Sequence, residues 1–270
     1  MTLLSAILLG IVQGLTEFLP VSSSAHLILA RAFFGWEMPA EAGLAFDVSL
    51  HVGTLAAILV FFRREIIGMM LSLPEALSPA PGPSARLLRL IAVGTIPVVI
   101  IGLTLNDYIE DHLRNPAVAA TALAAGAVLM LVAERVGRRT RSEETVSWME
   151  AILIGTAQAS ALIPGVSRSG STISVGLLLG MRRDAAARFT FLLAIPAIFA
   201  AAGKEGLELR HIALSLADLQ QMAVGTIVSG CVGYLTIKYF LRFLAVNRLD
   251  VFAYYRLALA AATVVWIWKQ

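Results

Sequence analysis

The chain has 270 residues, of which 58% are hydrophobic and only 14% are charged. Soluble domains carry about 25% charged residues, so this composition excludes an ordinary soluble protein and predicts a polytopic membrane protein. The net charge of +3 does not indicate a nucleic-acid binder, because the arginines lie in short loops at the ends of apolar runs, where they act as topology signals. The single cysteine, Cys231, excludes an intramolecular disulfide framework and a cysteine metal cluster.

Ten apolar runs follow one another along the chain. They fall at about 3–12, 24–34, 44–62, 87–105, 117–133, 150–163, 171–180, 185–202, 222–244 and 251–268. Runs of about ten residues cover only ~15 Å of the ~30 Å hydrocarbon core. Four runs are this short, and they form two pairs, at 3–34 and 150–180, each interrupted by proline, serine and a charged residue. Such pairs are typical of re-entrant hairpins. The predicted fold is therefore an all-α polytopic membrane protein with six transmembrane helices and two re-entrant helical hairpins.

The charges of the loops predict which side of the membrane each loop occupies, because cytoplasmic loops collect Lys and Arg. The basic loops are those at 63–89, 135–141 and 182–183. The loops around Glu37, Asp107 and Asp218 are acidic or mixed, so we expect them outside, with Asp107 to Asp111 in a solvated outer loop. Threading the chain through these assignments gives six spans. The first hairpin then opens to the outside and the second to the inside.

The two hairpins belong to an internal repeat. The matching segments are GIVQ at 10–13 with GTAQ at 155–158, PVS at 20–22 with PGVS at 164–167, and AVGTI at 92–96 with AVGTI at 223–227. Each half contains one hairpin and three spans, and an odd number of crossings inverts the second copy relative to the first. We predict a single membrane domain, 1–270, built from repeat 1 (1–134), a cytoplasmic linker (135–149) and repeat 2 (150–270). Inverted repeats bring broken helices face to face near the bilayer midplane, with the ligand between them.

The break in the second hairpin, at 164–172, predicts an anion-binding site. The unpaired N–H groups and the dipole at the start of a helix attract anions. The break adds two glycines for close approach of the backbone, three hydroxyl donors and one arginine fork: Gly165, Gly170, Ser167, Ser169, Thr172 and Arg168. This set is typical of a phosphate cradle, without the G-x-x-x-x-G-K-S/T pattern of a nucleotide P-loop. The alternative is a Ser/Thr helix cap with an arginine paired to a helix C-terminus.

The break in the first hairpin supplies an acid, a histidine and further hydroxyls. A lone buried carboxylate at Glu17 needs a cation. That cation is either a divalent ion such as Mg²⁺ or Ca²⁺ that bridges it to phosphate, or Arg168 in a salt bridge without metal. His26, one helical turn beyond Ser22, is predicted to activate the nucleophile or protonate the leaving group. Ser23, or Ser22, is a candidate covalent nucleophile; in the alternative, both serines only donate hydrogen bonds while a metal-bound water attacks.

A second acid and histidine lie four residues apart on one face of the third apolar run. Asp47 and His51 are either additional groups near the pocket or a mutually satisfied pair, and the pair is the favoured interpretation. Glu134 and Arg135 are expected to mark a membrane edge.

Segments 13–26 and 164–172 together resemble the bacterial undecaprenyl-pyrophosphate phosphatase family, the integral-membrane type associated with bacitracin resistance. The resemblance covers essentially the whole chain. It implies hydrolysis of undecaprenyl pyrophosphate to undecaprenyl phosphate and inorganic phosphate for peptidoglycan synthesis. It also implies a divalent cation, the bacterial inner membrane and a site toward the periplasm. The family motif E/Q-x-x-x-E falls on Gln13 and Glu17. Where some members have the first glutamate, this chain has an amide that cannot act as a base, so Glu17 must carry any carboxylate role.

The residues and the resemblance together give the predicted active site. Catalytic roles are assigned to Glu17, Ser23, His26 and Arg168, and Glu17 is also the predicted metal ligand. Substrate-binding roles are assigned to Gln13, Ser22, Gly165, Ser167, Ser169, Gly170 and Thr172. The expected partners are a polyprenyl pyrophosphate lipid and membrane lipids, without nucleic acid, and a homodimer is compatible with the sequence. The alternative function is an inverted-repeat transporter of phosphate or lipid phosphate, but Glu17 and His26 favour chemistry over transport.

Overall fold

The computed structural model describes residues 2–36, 40–209 and 214–269, and their regular secondary structure is helical. The α-helices in these ranges are α1 (Leu3–Thr16), α2 (Ser23–Phe34), α3 (Ala40–Phe61), α4 (Arg63–Leu71), α5 (Pro83–Leu113), α6 (Pro116–Val136), α7 (Trp148–Ser160), α8 (Arg168–Leu178), α9 (Arg183–Leu209), α10 (Leu216–Leu244) and α11 (Asp250–Trp268). Short 3₁₀ segments lie at Leu73–Leu77 and Glu143–Thr145. The all-α architecture is the predicted one.

Six of these helices are long and apolar enough to cross a membrane, as the sequence predicts. The candidate spans are Ala42–Phe61, Pro83–Leu105, Pro116–Val136, Arg183–Lys204, Leu216–Leu244 and Asp250–Trp268. By contrast, α1, α2, α7 and α8 contain 14, 12, 13 and 11 residues. At ~1.5 Å per residue these four helices are about 17–21 Å long, too short for a ~30 Å hydrocarbon core. The chain is therefore a multi-pass membrane protein with two pairs of half-length helices.

The loops predicted to share the cytoplasmic side meet at one end of the molecule, here called the basic end. Arg188 of α9 binds Glu65 of α4, with Nη2 and Oε1 2.7 Å apart. Glu134, buried at the end of α6, accepts hydrogen bonds from Arg183 at the start of α9 and from the backbone N–H of Leu249 before α11. The segments that follow α3, α6, α8 and α10 are thus tied together, and Glu134 anchors them rather than only marking a membrane edge.

The opposite end of the molecule is joined by Asp47, near the start of α3. Its carboxylate accepts hydrogen bonds from Arg31 at the end of α2, at 2.6 and 2.9 Å. It accepts a third from Arg114, between α5 and α6, at 2.9 Å. Helices α3 and α5 each run from one end of the molecule to the other. Arg31, near the end of α2, therefore lies at the end opposite the basic end.

The pair α7–α8 has its open side at the basic end. Arg141 binds the Glu150 carboxylate in the first turn of α7 and the Leu179 carbonyl at the end of α8. The guanidinium therefore holds together the two points at which this pair begins and ends. The opposite placement of the two pairs fits the predicted hairpins, which enter from opposite sides.

Matching glycines of the sequence repeat form close contacts between the first half of the chain and the second half. A Cβ at Gly10 in α1 would lie 2.9 Å from the carbonyl oxygen of Gly225 in α10. A Cβ at Gly155 in α7 would overlap the carbonyl of Gly94 in α5. The first helix of each half-length pair thus packs backbone to backbone against a span of the other half. These matching contacts fit the predicted inverted repeat.

Three local predictions differ from the structure or lie beyond it. Asp107 and Asp111 are predicted in a loop, but α5 continues to Leu113 and places both on an exposed helical turn, where water can solvate their charges. Asp218, also predicted in a loop, lies in the first turn of α10 and caps it with Ser215. The predicted outer-loop residue Glu37 lies outside the described residues.

Candidate active site

The two polar breaks form matching turns whose final serines cap the helices that follow. The first turn (17–22) ends at Ser22 before α2, and the second turn (161–167) ends at Ser167 before α8. Their φ angles are +74° and +68°, a left-handed region that is strained for residues with side chains. Each serine accepts a hydrogen bond from an N–H three residues later, that of Ala25 at 3.5 Å and that of Gly170 at 3.1 Å. The capping alternative for Ser167 is therefore part of the structure.

Glu17 connects the two turns through hydrogen bonds to both of its carboxylate oxygens. Oε1 accepts from Arg168 Nη2 at 2.6 Å, which is the salt bridge left open by the sequence. Oε2 accepts from Ser23 Oγ at 2.5 Å and from Gln13 Nε2 at 2.9 Å. His51 Nε2 lies 3.5 Å from the same oxygen. The Glu17 carboxylate thus directly contacts both a hydroxyl group and an arginine guanidinium.

A cavity of about 300 Å³ lies against these side chains. Its polar lining comprises Glu17, Ser22, Ser23, Ser24, Asp47, His51, Arg114, Gln158, Ser167 and Arg168. Both turns contribute to this wall, so the two breaks line one cavity, which fits the predicted composite site. Asp47 and Arg114 place the cavity mouth at the end of the molecule away from the basic end. We call this space the polar cavity.

The favoured interpretation of Asp47 and His51 as a mutually satisfied side-chain pair is wrong. The Asp47 carboxylate binds Arg31 and Arg114 instead. His51 Nδ1 bonds the backbone carbonyl of Asp47 at 2.8 Å, which leaves Nε2 directed at Glu17. Both residues line the polar cavity, which is the alternative that the sequence left open.

Four predicted substrate-binding residues support the second turn and do not line the polar cavity. Ser169 Oγ donates to a carbonyl of the first turn at 2.9 Å, and Thr172 Oγ1 donates to a carbonyl of its own helix at 2.6 Å. Gly165 has a φ of +95°, and a Cβ there would overlap the backbone of α6. A Cβ at Gly170 would lie 2.7 Å from a guanidinium nitrogen of α11. Their close contacts are within the protein, so their part in binding substrate stays a prediction.

His26 faces α11 and is likewise not part of the cavity lining. Its Nδ1 lies 2.7 Å from the Ser22 carbonyl oxygen, so Nδ1 must carry a proton. Its Nε2 lies 2.7 Å from the Tyr255 hydroxyl, and the two rings stack with centroids 5.6 Å apart. Both ring nitrogens are therefore engaged in this conformation. The predicted proton transfer by His26 stays a prediction.

The sequence matches known proteins over nearly its whole length. The model of the bacitracin resistance protein BacA family matches residues 6–262. This chain belongs to the BacA family. A curated relative named undecaprenyl-diphosphatase, from Rubrobacter xylanophilus, is 48% identical over 265 residues, 96% of each chain. One of the same name from Thioalkalivibrio sulfidiphilus is 44% identical over 272 residues, 99% of this chain and 100% of the relative. A third, named undecaprenyl-diphosphatase 2, from Stutzerimonas stutzeri, is 45% identical over 269 residues, 98% of each chain.

The surroundings of Glu17 in this BacA-family chain fit a hard divalent cation. The side-chain oxygen Oε1 of Gln13 is buried, has no hydrogen-bond partner and belongs to the amide that bonds Glu17. Carboxylate and amide oxygens are ligands that Mg²⁺ and Ca²⁺ accept. Among the described residues, no group of three or more His, Cys, Asp or Glu side chains is arranged so that it could hold a metal ion by itself. Water and substrate oxygens would therefore have to supply most of the ligands, as is usual for Mg²⁺.

An apolar groove of about 200 Å³ continues from the polar cavity between α5 and α9. We call it the lateral groove; its lining is Val98, Val99, Gly102, Leu103, Leu162, Ala197, Ala200, Ala201 and Lys204. The two spaces share Val98, Leu162, Ala197 and Ala201. Leu103 is 82% exposed on a membrane span, so the groove reaches the lipid-facing surface. The BacA-family chain thus joins a polar cavity to an apolar opening within the membrane.

Arg256 is the main supporting residue of the site that the sequence reasoning missed. It lies in α11 and contacts both turns through backbone carbonyls. A signal was available, because an arginine inside an apolar run marks a functional position by default. Motif spacing does not identify it, since Arg256 lies 84 residues beyond the end of the 164–172 motif.

Proposed function

We propose that this chain hydrolyses undecaprenyl pyrophosphate to undecaprenyl phosphate and inorganic phosphate in the bacterial inner membrane. This activity would recycle the carrier lipid for peptidoglycan synthesis and confer bacitracin resistance. Curated relatives that bear the name undecaprenyl-diphosphatase support the proposal over nearly the whole chain. The single observation that carries it is the contact of Ser23, Glu17 and Arg168 in one polar cavity.

The contact geometry favours Ser23 as the nucleophile and Glu17 as its base. The Ser23 hydroxyl already donates to Glu17 at 2.5 Å, so its proton can pass to the carboxylate as Oγ bonds to the distal phosphorus. The bond from that phosphorus to the bridging oxygen then breaks, and undecaprenyl phosphate leaves. Water next cleaves the phosphoserine and releases inorganic phosphate. In the alternative step, water attacks the same phosphorus directly and Ser23 only donates a hydrogen bond.

Arg168 would hold the phosphoryl group and would release Glu17 when the substrate binds. An incoming phosphate competes with Glu17 for the guanidinium, whose fork suits phosphate oxygens. When Arg168 turns to the substrate, Glu17 Oε1 loses its 2.6 Å hydrogen-bond donor and becomes open to a proton or a metal ion. Substrate binding thus prepares the base.

A divalent cation, Mg²⁺ or Ca²⁺, would be held by Glu17 and the unpaired amide oxygen of Gln13. Bound there, it would supply neutralisation of phosphate charge and polarisation of a phosphoryl oxygen. Gln13 Nε2 orients the carboxylate at 2.9 Å, so the amide can serve both partners at once. This role suits the glutamine that stands where some members of the family have glutamate.

The lateral groove and the cavity mouth orient the lipid substrate. The polyprenyl tail would lie in the groove between α5 and α9, where Val99 and Leu103 offer apolar contacts. The pyrophosphate would then lie in the polar cavity. Because the basic end is expected in the cytoplasm, the mouth beside Asp47 and Arg114 would open to the periplasm.

Phosphate release from undecaprenyl pyrophosphate by the purified chain in detergent micelles tests the proposal. Micelles have no compartments, so a transporter would release no phosphate. We expect release with Mg²⁺ or Ca²⁺, its loss with chelator, and a decrease in kcat of at least about 100-fold in Ser23→Ala and Glu17→Gln. Ser49→Ala, which removes a hydroxyl bonded within α3, is the matched control and should retain activity. No release with either metal, or full release by Arg168→Ala, contradicts the proposal.

A further inference from the structure

We infer that Arg256 is a positioning residue that holds the two turns of the active site in register with each other. Its side chain is fully buried within the membrane span of α11. In the described part of the chain, no carboxylate forms an ion pair with it. An arginine at membrane depth is costly unless protein groups replace its hydration. The groups that do so here are backbone carbonyls.

The Arg256 guanidinium bridges three segments of the chain. Nη1 donates to the Pro20 carbonyl in the first turn at 3.3 Å. Nη2 donates to the Gly165 and Val166 carbonyls in the second turn at 3.0 and 3.1 Å. Nε and Nη2 also donate to two carbonyls of α6, each at 3.1 Å. One side chain thus fixes both turns to each other and to a span.

These carbonyls need partners because the turns interrupt the helices at membrane depth, where water cannot satisfy them. Pro20 lies two residues before Ser22, and Val166 lies directly before Ser167. Both serines have strained left-handed φ angles, which persist only where the surroundings enforce them. The planar guanidinium presents several donors in a fixed geometry, whereas a lysine ammonium is a point charge that cannot span both turns.

Two glycines leave room for the guanidinium. A Cβ at Gly126 in α6 would overlap Nη2, and a Cβ at Gly170 in α8 would lie 2.7 Å from Nη1. The absence of a side chain at both positions therefore provides the space that the guanidinium occupies. Gly126 offers a way to displace the guanidinium without removing any of its donors.

The catalytic consequence rests on the proposed function. Glu17 is the first residue of the first turn, Ser23 directly follows that turn, and Arg168 directly follows the second turn. A shift between the turns would separate Arg168 from Glu17 and misplace both against the phosphorus. Misplacement of about 1 Å can cost about 100-fold in rate, so we expect a decrease in kcat of that order with KM little changed when Arg256 is replaced.

Amide hydrogen exchange in micelles, without substrate, tests the positioning directly. We compare Arg256→Lys with Arg183→Lys, in which another forked arginine is replaced at the basic end, away from both turns. Exchange of peptides covering 17–22 and 161–167 should rise about ten- to hundredfold in Arg256→Lys, the factor expected for loss of a hydrogen bond to a charged group. It should remain at the wild-type rate in Arg183→Lys. Unchanged exchange in folded Arg256→Lys, or a rise in only one turn, overturns the inference.

Kinetics of phosphate release provide the second readout and separate this inference from the proposed function. If the wild type releases no phosphate, the proposed function fails, and the exchange measurement still decides the role of Arg256. If the wild type is active, a folded Arg256→Lys variant with wild-type kcat overturns the inference.

Gly126→Ala decides the case in which Arg256→Lys does not fold. This variant keeps the arginine but forces its Nη2 aside, so both turns should again exchange faster and kcat should fall. Gly203→Ala is its control, because a Cβ there meets no atom within 4 Å. Equal exchange in the two glycine variants overturns the inference.

Discussion

Arg168 Nη2 lies 2.6 Å from Glu17 Oε1, which joins two residues 151 positions apart in the chain. Glu17 begins the first turn and Arg168 directly follows the second turn, so the ion pair forms only when the two turns are correctly packed together. Both side chains are largely shielded, with 17% and 5% of their surfaces exposed. Opposite charges at this distance attract strongly in a region of low dielectric constant. The pair therefore holds the two turns together, and under the proposed function the substrate phosphate would take Arg168 over from Glu17.

Replacement of this arginine by lysine separates the role of its charge from that of its fork. Arg168→Lys keeps the positive charge but loses the planar pair of donors, so we expect kcat/KM to fall about 10- to 100-fold. The measurement is steady-state phosphate release from undecaprenyl pyrophosphate. Arg183→Lys, at the basic end, should retain wild-type kcat/KM. Equal activity of Arg168→Lys and wild type would show that charge alone is sufficient.

The crosswise glycine contacts predict a defined loss of stability. A methyl group at Gly155 would overlap the Gly94 carbonyl, so Gly155→Ala must push α7 away from α5 at a cost of about 1–3 kcal/mol. In an open helix the same change is favourable by roughly 1 kcal/mol. We therefore expect a lower thermal unfolding midpoint in detergent for Gly155→Ala. Gly203→Ala, which has open space, should equal or exceed the wild type. Equal midpoints for both variants would exclude a tight α5–α7 contact.

The sequence predicts the parts of this molecule that depend on local pattern. Run length separates the six spans from the four half-length helices, and the polar break identifies Glu17 and Arg168 as partners, with the salt bridge already among the alternatives. The sequence does not predict the direction in which individual side chains point. Ser169 and Thr172 look like phosphate ligands in the motif, yet their hydroxyls bond backbone carbonyls. Motif spacing does not fix which side of a turn a hydroxyl faces, because tertiary packing chooses the rotamer.

Long-range partners were beyond the reach of the sequence for a related reason. Asp47 and His51 are one helical turn apart, which favours a local pair. Two arginines from distant segments outcompete the histidine for the Asp47 carboxylate, since a guanidinium offers a charged fork. His51 then becomes free to face Glu17. Such competition is visible only once the helices are packed.

The lateral groove predicts a dependence on the length of the lipid tail. Gly102 faces this groove, and a Cβ there meets only Leu162, at 4.0 Å. Gly102→Phe should fill the groove and raise KM for undecaprenyl pyrophosphate about tenfold, the factor expected when apolar contacts are lost. KM for the shorter farnesyl pyrophosphate should change much less. Gly102→Ala is the control and should behave like the wild type. A similar shift in KM for both substrates would place the tail elsewhere.

The ion pair between Arg141 and Glu150, at the start of α7, predicts that the stability of the fold depends on pH. Hydrogen bonds from Arg141 lower the pKa of the Glu150 carboxyl from 4.5 to about 2, although burial opposes the shift. A carboxyl with a lowered pKa in the folded state contributes stability that is complete above its unfolded pKa and is lost as the pH falls toward the folded pKa. The contribution of Glu150 should therefore be full at neutral pH and decline below about pH 4.5.

The difference in thermal midpoint between wild type and Glu150→Gln measures this contribution. We expect the wild type to be more stable at about pH 7, and the difference to shrink by about pH 3, where the unfolded chain binds the proton that the folded chain resists. Glu144→Gln is the matched control, because the exposed Glu144 side chain forms no ion pair with any residue that the structure describes. It should show no such pH dependence. A Glu150→Gln difference that is constant between the two pH values would mean that the Arg141 contact does not stabilise the entry to α7, and that the second hairpin is held by its packing on α5 alone.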